Sequence, residues 1–303
     1  MNRELALAAA ASALGLLPLA LAGGGSSAPA GAAPARVVSL SPSITEMVHA
    51  LGALDRVVGV SSWVSWPPEA RSIRRVGGYL DVDLEVLVGT RPDLVLVQGV
   101  HSRVSEQARE LGIEVVRVEM DTVAQIVRAA REIGSALGAA GAGEHLARRI
   151  ESELEDVRSR SRAARPVRTF LQIGHAAAPG TGPFLTSGGR TFLSEILEAA
   201  GGSNVFAELP RAYAEVSAEA IVSRAPELVM VSLPGRELSR SDEEAIRGFW
   251  RGLLGGARAG RGPDVRLLTL DCAQVPGPRV GELAREMERL VSAARAWLDG
   301  SAP

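Results

Sequence analysis

The chain has 303 residues, 46% of them hydrophobic and 22% charged, with a formal net charge of −2. That balance supports two well-filled cores and offers none of the basic patches that nucleic acid needs. All the positive charge is arginine, and the single cysteine, Cys272, excludes an internal disulfide framework and a cysteine-based zinc site.

Residues 1–22 have the form of a secretory signal: Arg3, an apolar run from Leu5 to Leu21, and a small-residue cleavage site in LALAG near Ala22. The run is short for a spanning helix, and an uncleaved anchor is the alternative to cleavage. No cysteine follows it, so a lipobox thiol is excluded. Residues 23–35 (GGGSSAPAGAAPA) form a small-residue linker without core-forming potential. The expectation is an exported, soluble mature protein.

RVVSL (36–40) reads as a strand and SPSITEMVHALG as a helix, with Ser43 and Glu46 at capping-box spacing ahead of Met47, Val48 and Leu51. A second strand, RVVGV, leads into SSWVSWPPEA. Its Trp63 and Trp66 are either satellite core or a stacking surface for a ligand, and Tyr79 nearby strengthens the second reading. Further on come a strand over Asp93 to Val97, a helix over Arg103 to Leu111 and the strand GIEVVRV. Asp121 then caps the helix TVAQIVRAAREIGSALG.

The stretch from Gly141 to Arg165 predicts one long helix. Leu146, Ile150, Leu154 and Val157 recur at helical spacing, and charges of both signs cover the other faces. At ~1.5 Å per residue it spans roughly 30–35 Å, about the width of a small domain. After it come the strand VRTFLQIG, a Gly/Pro-rich loop HAAAPGTGPFLTSGG long enough to be functional, and a helix over Thr191 to Ala200. A helix near Phe249, the strand VRLLTLD, the loop CAQVPGPR and a closing helix to Leu298 complete the chain.

The two sides of the long helix carry one pattern. YLDVDLEVLVGTRPDLVLV, from Tyr79, returns as YAEVSAEAIVSRAPELVMV, from Tyr213, shifted by 134 positions. Val82/Val216, Glu85/Glu219, Val88/Val222, Pro92/Pro226 and Leu94/Leu228 are identical, and Asp93/Glu227 is conservative. Each copy reads as a short helix, a proline-marked turn and a buried strand, the signature of an α/β unit. The expected architecture is two α/β lobes of similar plan joined by one rigid helix. The segments are 36–120 for the first lobe, 121–165 for the helical connection and 166–303 for the second lobe.

Little catalytic chemistry converges. No G-x-G-x-x-G follows a strand, and there is no phosphate-binding P-loop or G-x-S-x-G elbow. His49, His101, His145 and His175 are scattered, none at i, i+4 spacing, so no metal site is assigned. No residue is assigned as catalytic, and an enzyme is unsupported. Glu85 and Glu219 each sit near a helix start, where a carboxylate complements the dipole by ~0.3–1 kcal/mol. Paired on equivalent positions of two lobes, they would also present two acidic points to a symmetric partner with arginine-lined pockets.

RVVSLSPSITEMVHALGALDRVVGVSSW, VGGYLDVDLEVLVGTRPDLVLV, LGIEVVRVE, PFLTSGGRTFLSEILEAAGGSNVF and the second repeat copy together resemble the periplasmic binding proteins of cobalamin and iron-chelate ABC importers, the cobalamin-binding ones above all. The resemblance implies two Rossmann-like lobes joined by a single long helix, with the ligand in the cleft between them. It implies that Trp63, Tyr79 and Tyr213 match aromatics lining the cobalamin cleft and that Asp271 matches an acidic cleft residue. Cys272 stands where an aromatic usually follows that acid, and Phe184 follows a loop longer than the resemblance implies. Glu85 and Glu219 match the acidic pair that docks the loaded protein onto arginines of the permease dimer. The implied protein is a periplasmic monomer that binds cobalamin as transported ligand, holds no cofactor of its own and engages no nucleic acid.

Tyrosine and tryptophan suit a large, flat, partly polar ligand because they supply broad contact at low entropy cost. An anionic siderophore would call for convergent arginines, with Arg103 and Arg190 as candidates. Haem or a ferric chelate, with His175 or Tyr213 on the iron, is the alternative within the same fold. A metal carrier or metal-dependent enzyme using the histidines is the alternative outside it.

Overall fold

The computed structural model describes residues 33–78, 81–99, 102–174, 183–255 and 262–300. The signal and most of the linker lie outside the described residues, as do Tyr79, His101 and His175. No helix among the described residues is long and apolar enough to cross a membrane.

The first half alternates strands and helices: β1 (Val37–Ser39), α1 (Pro42–Ala50), β2 (Val57–Val60), α2 (Leu84–Gly89), β3 (Leu94–Gln98), α3 (Ser102–Glu110), β4 (Glu114–Val118) and α4 (Val123–Ala136). The four strands pair in parallel in the order β2-β1-β3-β4, so the order reverses between β1 and β3. Central β3 is fully buried from Leu94 to Val97, the continuous apolar run expected of a strand covered on both faces.

The long helix α5 (Ala140–Ser161) follows, and its 22 residues end a turn before the expected Arg165. Leu146, Ile150, Leu154 and Val157 are all buried, as their spacing requires. α5 packs closely on α4 because two glycines meet there: a Cβ on Gly134 would stand 2.7 Å from the Cα of Gly143.

The second half contains β5 (Val167–Ile173), β6 (Phe184–Ser187), α6 (Phe192–Ala199), β7 (Gly202–Asn204), β8 (Tyr213–Val216), α7 (Ala218–Arg224), β9 (Leu228–Ser232), α8 (Arg240–Gly255), β10 (Asp264–Leu268) and α9 (Val280–Leu298). β10, β9 and β5 run in parallel, whereas β6 and β8 extend the sheet antiparallel in the order β10-β9-β5-β6-β8. The stretch read as one long loop therefore contains a strand. FLTS is too short, and too closely bounded by glycine and proline, to announce itself by period alone.

The repeat is structural. Asp83 and Ser217, 134 positions apart, N-cap α2 and α7, and the fully buried Leu87 and Ile221 anchor those helices. The conservative pair Asp93/Glu227 also has a shared task. Asp93 Oδ2 accepts the Arg36 N–H at 3.0 Å at the entry to β1, and Glu227 Oε2 accepts the Arg168 N–H at 3.1 Å at the entry to β5.

Two local expectations are corrected. Ser41, not Ser43, caps α1, accepting the Ile44 N–H at 3.2 Å, because Pro42 occupies the first helical turn and the extended residue before it is the one free to fold back. Thr122, not Asp121, caps α4, in a capping box completed by Gln125. The expectation of two cores is also revised. One cluster runs continuously from Val37 and Ile44 through α4 and α5 to Phe192, Leu268 and α9, and each half adds a smaller outer cluster.

Candidate binding cleft

Parallel strands place ligand sites at their carboxyl ends, where chain connections diverge. In this chain, segments that follow strands in the two halves meet. After β1 the chain enters α1, whose Glu46 meets Arg279 from the segment after β10. After β4, the Asp121 carbonyl accepts the Phe192 N–H at 2.6 Å, and the Val123 N–H donates to Glu195 Oε2 of α6 at 2.7 Å. These connections join the two halves through side-chain and backbone contacts.

Trp63 stands on the segment after β2 and is 71% exposed. Its indole lies beside Gly78, where an added Cβ would be 3.2 Å from Trp63 Nε1 and 2.2 Å from Asp81 Oδ1. An indole left in water beside a turn with no room for a side chain is a platform with an uncovered face. Tyr79 falls in the adjoining segment outside the described residues.

Tyr213 opens β8, opposite Ser187 of β6, and is 41% exposed. Burial of its hydroxyl and the nearby Asp121 carboxylate push its pKa up to about 12. The phenol therefore stays protonated at neutral pH and can donate a hydrogen bond. The matching backbone position in the opposed sheet edge is a serine, so the aromatic face has no aromatic neighbour across the strand.

Asp271 lies just past β10 and is exposed. Its Oδ1 accepts from Arg279 Nη1 at 2.7 Å. Arg279 also forms a two-pronged pair with Glu46, Nε to Oε2 at 2.9 Å and Nη2 to Oε1 at 2.7 Å. The guanidinium carbon sits 4.3 Å over the Trp66 ring, and Trp66 meets His49 edge-on at 4.9 Å. Burial pushes the Glu46 carboxyl upward against the opposing pull of Arg279, while on Arg279 the two acids outweigh burial and hold the cation charged. Trp66 is thus half-buried and packed, and of the two tryptophans Trp63 is the one free to stack.

Cys272, beside Asp271, is buried, and burial raises its thiol to about 12. Phe184 is core: it packs on Phe249 and Trp250. Arg103 and Arg190 are both exposed. No group of three or more His, Cys, Asp or Glu that could hold a metal ion occurs among the described residues.

Glu85 and Glu219 are exposed, each the second residue of its short helix. The Ser217 hydroxyl and the glutamate's own N–H hold the Glu219 carboxyl below the usual range. The residues that sequence reasoning did not single out are Glu46, Trp66 and Arg279 as a group. One signal was available: a glutamate among Thr45, Met47 and Val48 is buried with them and needs a cation.

Comparison with known proteins bears on the family and the fold. The Periplasmic binding protein family matches residues 37–247. The vitamin B12-binding protein of Photorhabdus laumondii is 30% identical over 221 residues, which is 72% of this chain and 76% of that protein. The periplasmic vitamin B12 binding protein BtuF of Vibrio cholerae superposes with a TM-score of 0.72 at 23% identity, over 86% of this chain and 98% of that one. The periplasmic heme-binding protein RhuT from Roseiflexus superposes over the same shares with a TM-score of 0.68, also at 23% identity. At those identities the two superpositions establish the two-lobed α/β fold.

Proposed function

The chain belongs to the periplasmic binding protein family, and we propose on that premise that it captures cobalamin or a related corrinoid between its lobes and delivers it to an ABC importer permease. A member of this family is a binding protein and not an enzyme. The lobes that hold the ligand are 36–120 and 166–303, joined by the helical segment 121–165, and the protein acts as an exported monomer in the periplasm.

Trp63 carries the reading. An indole 71% exposed on the carboxyl edge of the first sheet costs apolar hydration unless a broad, flat partner covers it. Tyr213 offers a second ring with a polar tip from the other half, and Asp271 offers an acceptor for amide N–H groups of the kind that fringe a corrin. Glu85 and Glu219 are the docking points for the permease.

The B12-binding relatives at 30% identity favour a corrinoid over haem. Calorimetric titration of residues 23–303 with cyanocobalamin, repeated with Trp63→Ala and Tyr79→Ala, tests the proposal. Tight one-to-one binding weakened by both substitutions is expected. Absence of heat with cyanocobalamin, together with binding of haem or a ferric siderophore, would move the ligand to an iron chelate.

A further inference from the structure

We propose that Arg279 is a positioning residue of the cleft, which holds the two lobes at one spacing through Glu46 and aims Asp271 at the ligand. The part concerning Asp271 rests on the reading of that residue as a ligand contact. The part concerning lobe spacing does not.

The guanidinium divides its donors between the lobes. Nε and Nη2 go to Glu46 on α1 of the first lobe, Nη1 goes to Asp271 of the second, and the flat face lies on Trp66 of the first. Accessibility rises along the chain of groups, from 2% at Glu46 through 16% at Arg279 to 47% at Asp271. The Glu46 end is buried within α1 and the Asp271 end is open to solvent. With Asp271 Oδ1 engaged, Oδ2 is the oxygen left for a ligand donor.

Energetics argue for geometry over stability. Burying an ion pair costs desolvation that roughly cancels its attraction, so an apolar pair of equal volume would stabilise the fold as well or better. What apolar side chains cannot supply is direction. A planar fork bonded on two edges and stacked on one face has a single orientation, and lysine, a point charge, cannot reproduce it. Residues 233 positions apart are joined here by a contact that specifies angle as well as distance.

The experiment uses the full exported chain with nitroxides at Arg109→Cys on α3 and Arg251→Cys on α8, both exposed and one in each lobe. Interlobe distance distributions are recorded without ligand, and cyanocobalamin affinity is measured by calorimetry. Glu46→Gln keeps shape but replaces one of the two acceptors with a donor that faces the guanidinium, Arg279→Lys keeps charge, and circular dichroism confirms that both fold. Both variants are expected to broaden the distance distribution. Arg279→Lys is expected to weaken cyanocobalamin binding about tenfold or more, because a ligand-contacting group has lost its orientation. Asp271→Asn should add little further loss in that background.

A distribution unchanged in both variants would overturn the clamp, and fully additive losses at Arg279 and Asp271 would overturn the positioning. Should the unsubstituted chain bind no cyanocobalamin, the corrinoid reading fails, and the distance distributions alone decide whether Arg279 sets the lobe spacing.

Discussion

Arg91 and Ala225 are the two non-glycine residues, among those described, whose backbone turns left-handed, at φ 49° and 44°, and they stand 134 positions apart. Each precedes the proline of its repeat copy and closes the short helix that bears one exposed glutamate. The two halves therefore share a backbone turn as well as a residue pattern. For a residue with a Cβ this conformation costs roughly 1–2 kcal/mol, part of which glycine recovers despite its greater freedom when unfolded. Ala225→Gly should raise stability by about 0.5–1 kcal/mol. The check is the urea midpoint at unchanged slope, with Ala225→Val moving it the other way.

Periodicity and repetition were strong enough to place α5 and the paired elements α2–β3 and α7–β9, because their apolar spacing extends over whole elements. Trp63, Tyr213 and Asp271 were singled out through resemblance alone; Trp63 and Asp271 stand on segments that follow β2 and β10, and Tyr213 opens β8. The Glu46–Arg279 pair was not. It joins distant parts of the chain, and each residue has an innocent local reading, one as a helix-start glutamate and the other as a surface arginine after a proline-rich loop. The strand FLTS was lost for a different reason: its pairing is decided by β5 and β8, not by its own four residues.

The contact between α4 and α5 gives a prediction of unusual sign. Glycine in a helix interior is normally worse than alanine by about 1 kcal/mol. At Gly143, however, a Cβ would meet the Ala130 carbonyl oxygen at 2.7 Å, whereas at Gly141 in the same helix it would meet nothing within 4 Å. Gly143→Ala should destabilise by ~1–3 kcal/mol through overpacking. Gly141→Ala should instead stabilise by roughly 0.5–1 kcal/mol. Equal shifts for the two in chemical denaturation would mean that the helices are not held at this separation.

Cys272 supplies a pH test. Burial lifts its thiol to about 12, above the ~8.5 of an unfolded cysteine, so the folded state favours the protonated form. The associated stability is complete below about pH 8.5 and is lost as pH rises toward 12. At pH 8 the native thiol should therefore resist a disulfide reagent and react only on opening of the fold. Labelling rates measured across increasing urea should follow the global unfolding transition. Rapid labelling in native buffer would show that the segment after β10 opens locally.

The docking role proposed for the exposed glutamates gives a test that separates binding from delivery. Glu85 and Glu219 lie on repeat-equivalent helices and make no contribution to the continuous core, and Ser217 holds the Glu219 carboxyl below the usual range. Reversing both charges, Glu85→Arg with Glu219→Arg, should leave the cyanocobalamin titration unchanged and abolish uptake into vesicles carrying the cognate permease. A single reversal should leave partial uptake that falls further with salt, because one of two charge contacts remains and exposed pairs are screened. The repeat makes the two single variants comparable, since each glutamate follows an N-cap side chain that fixes the first turn of its helix. Loss of ligand affinity in the double variant would instead relocate these residues to the cleft or the fold, and the permease would have to be met by another surface.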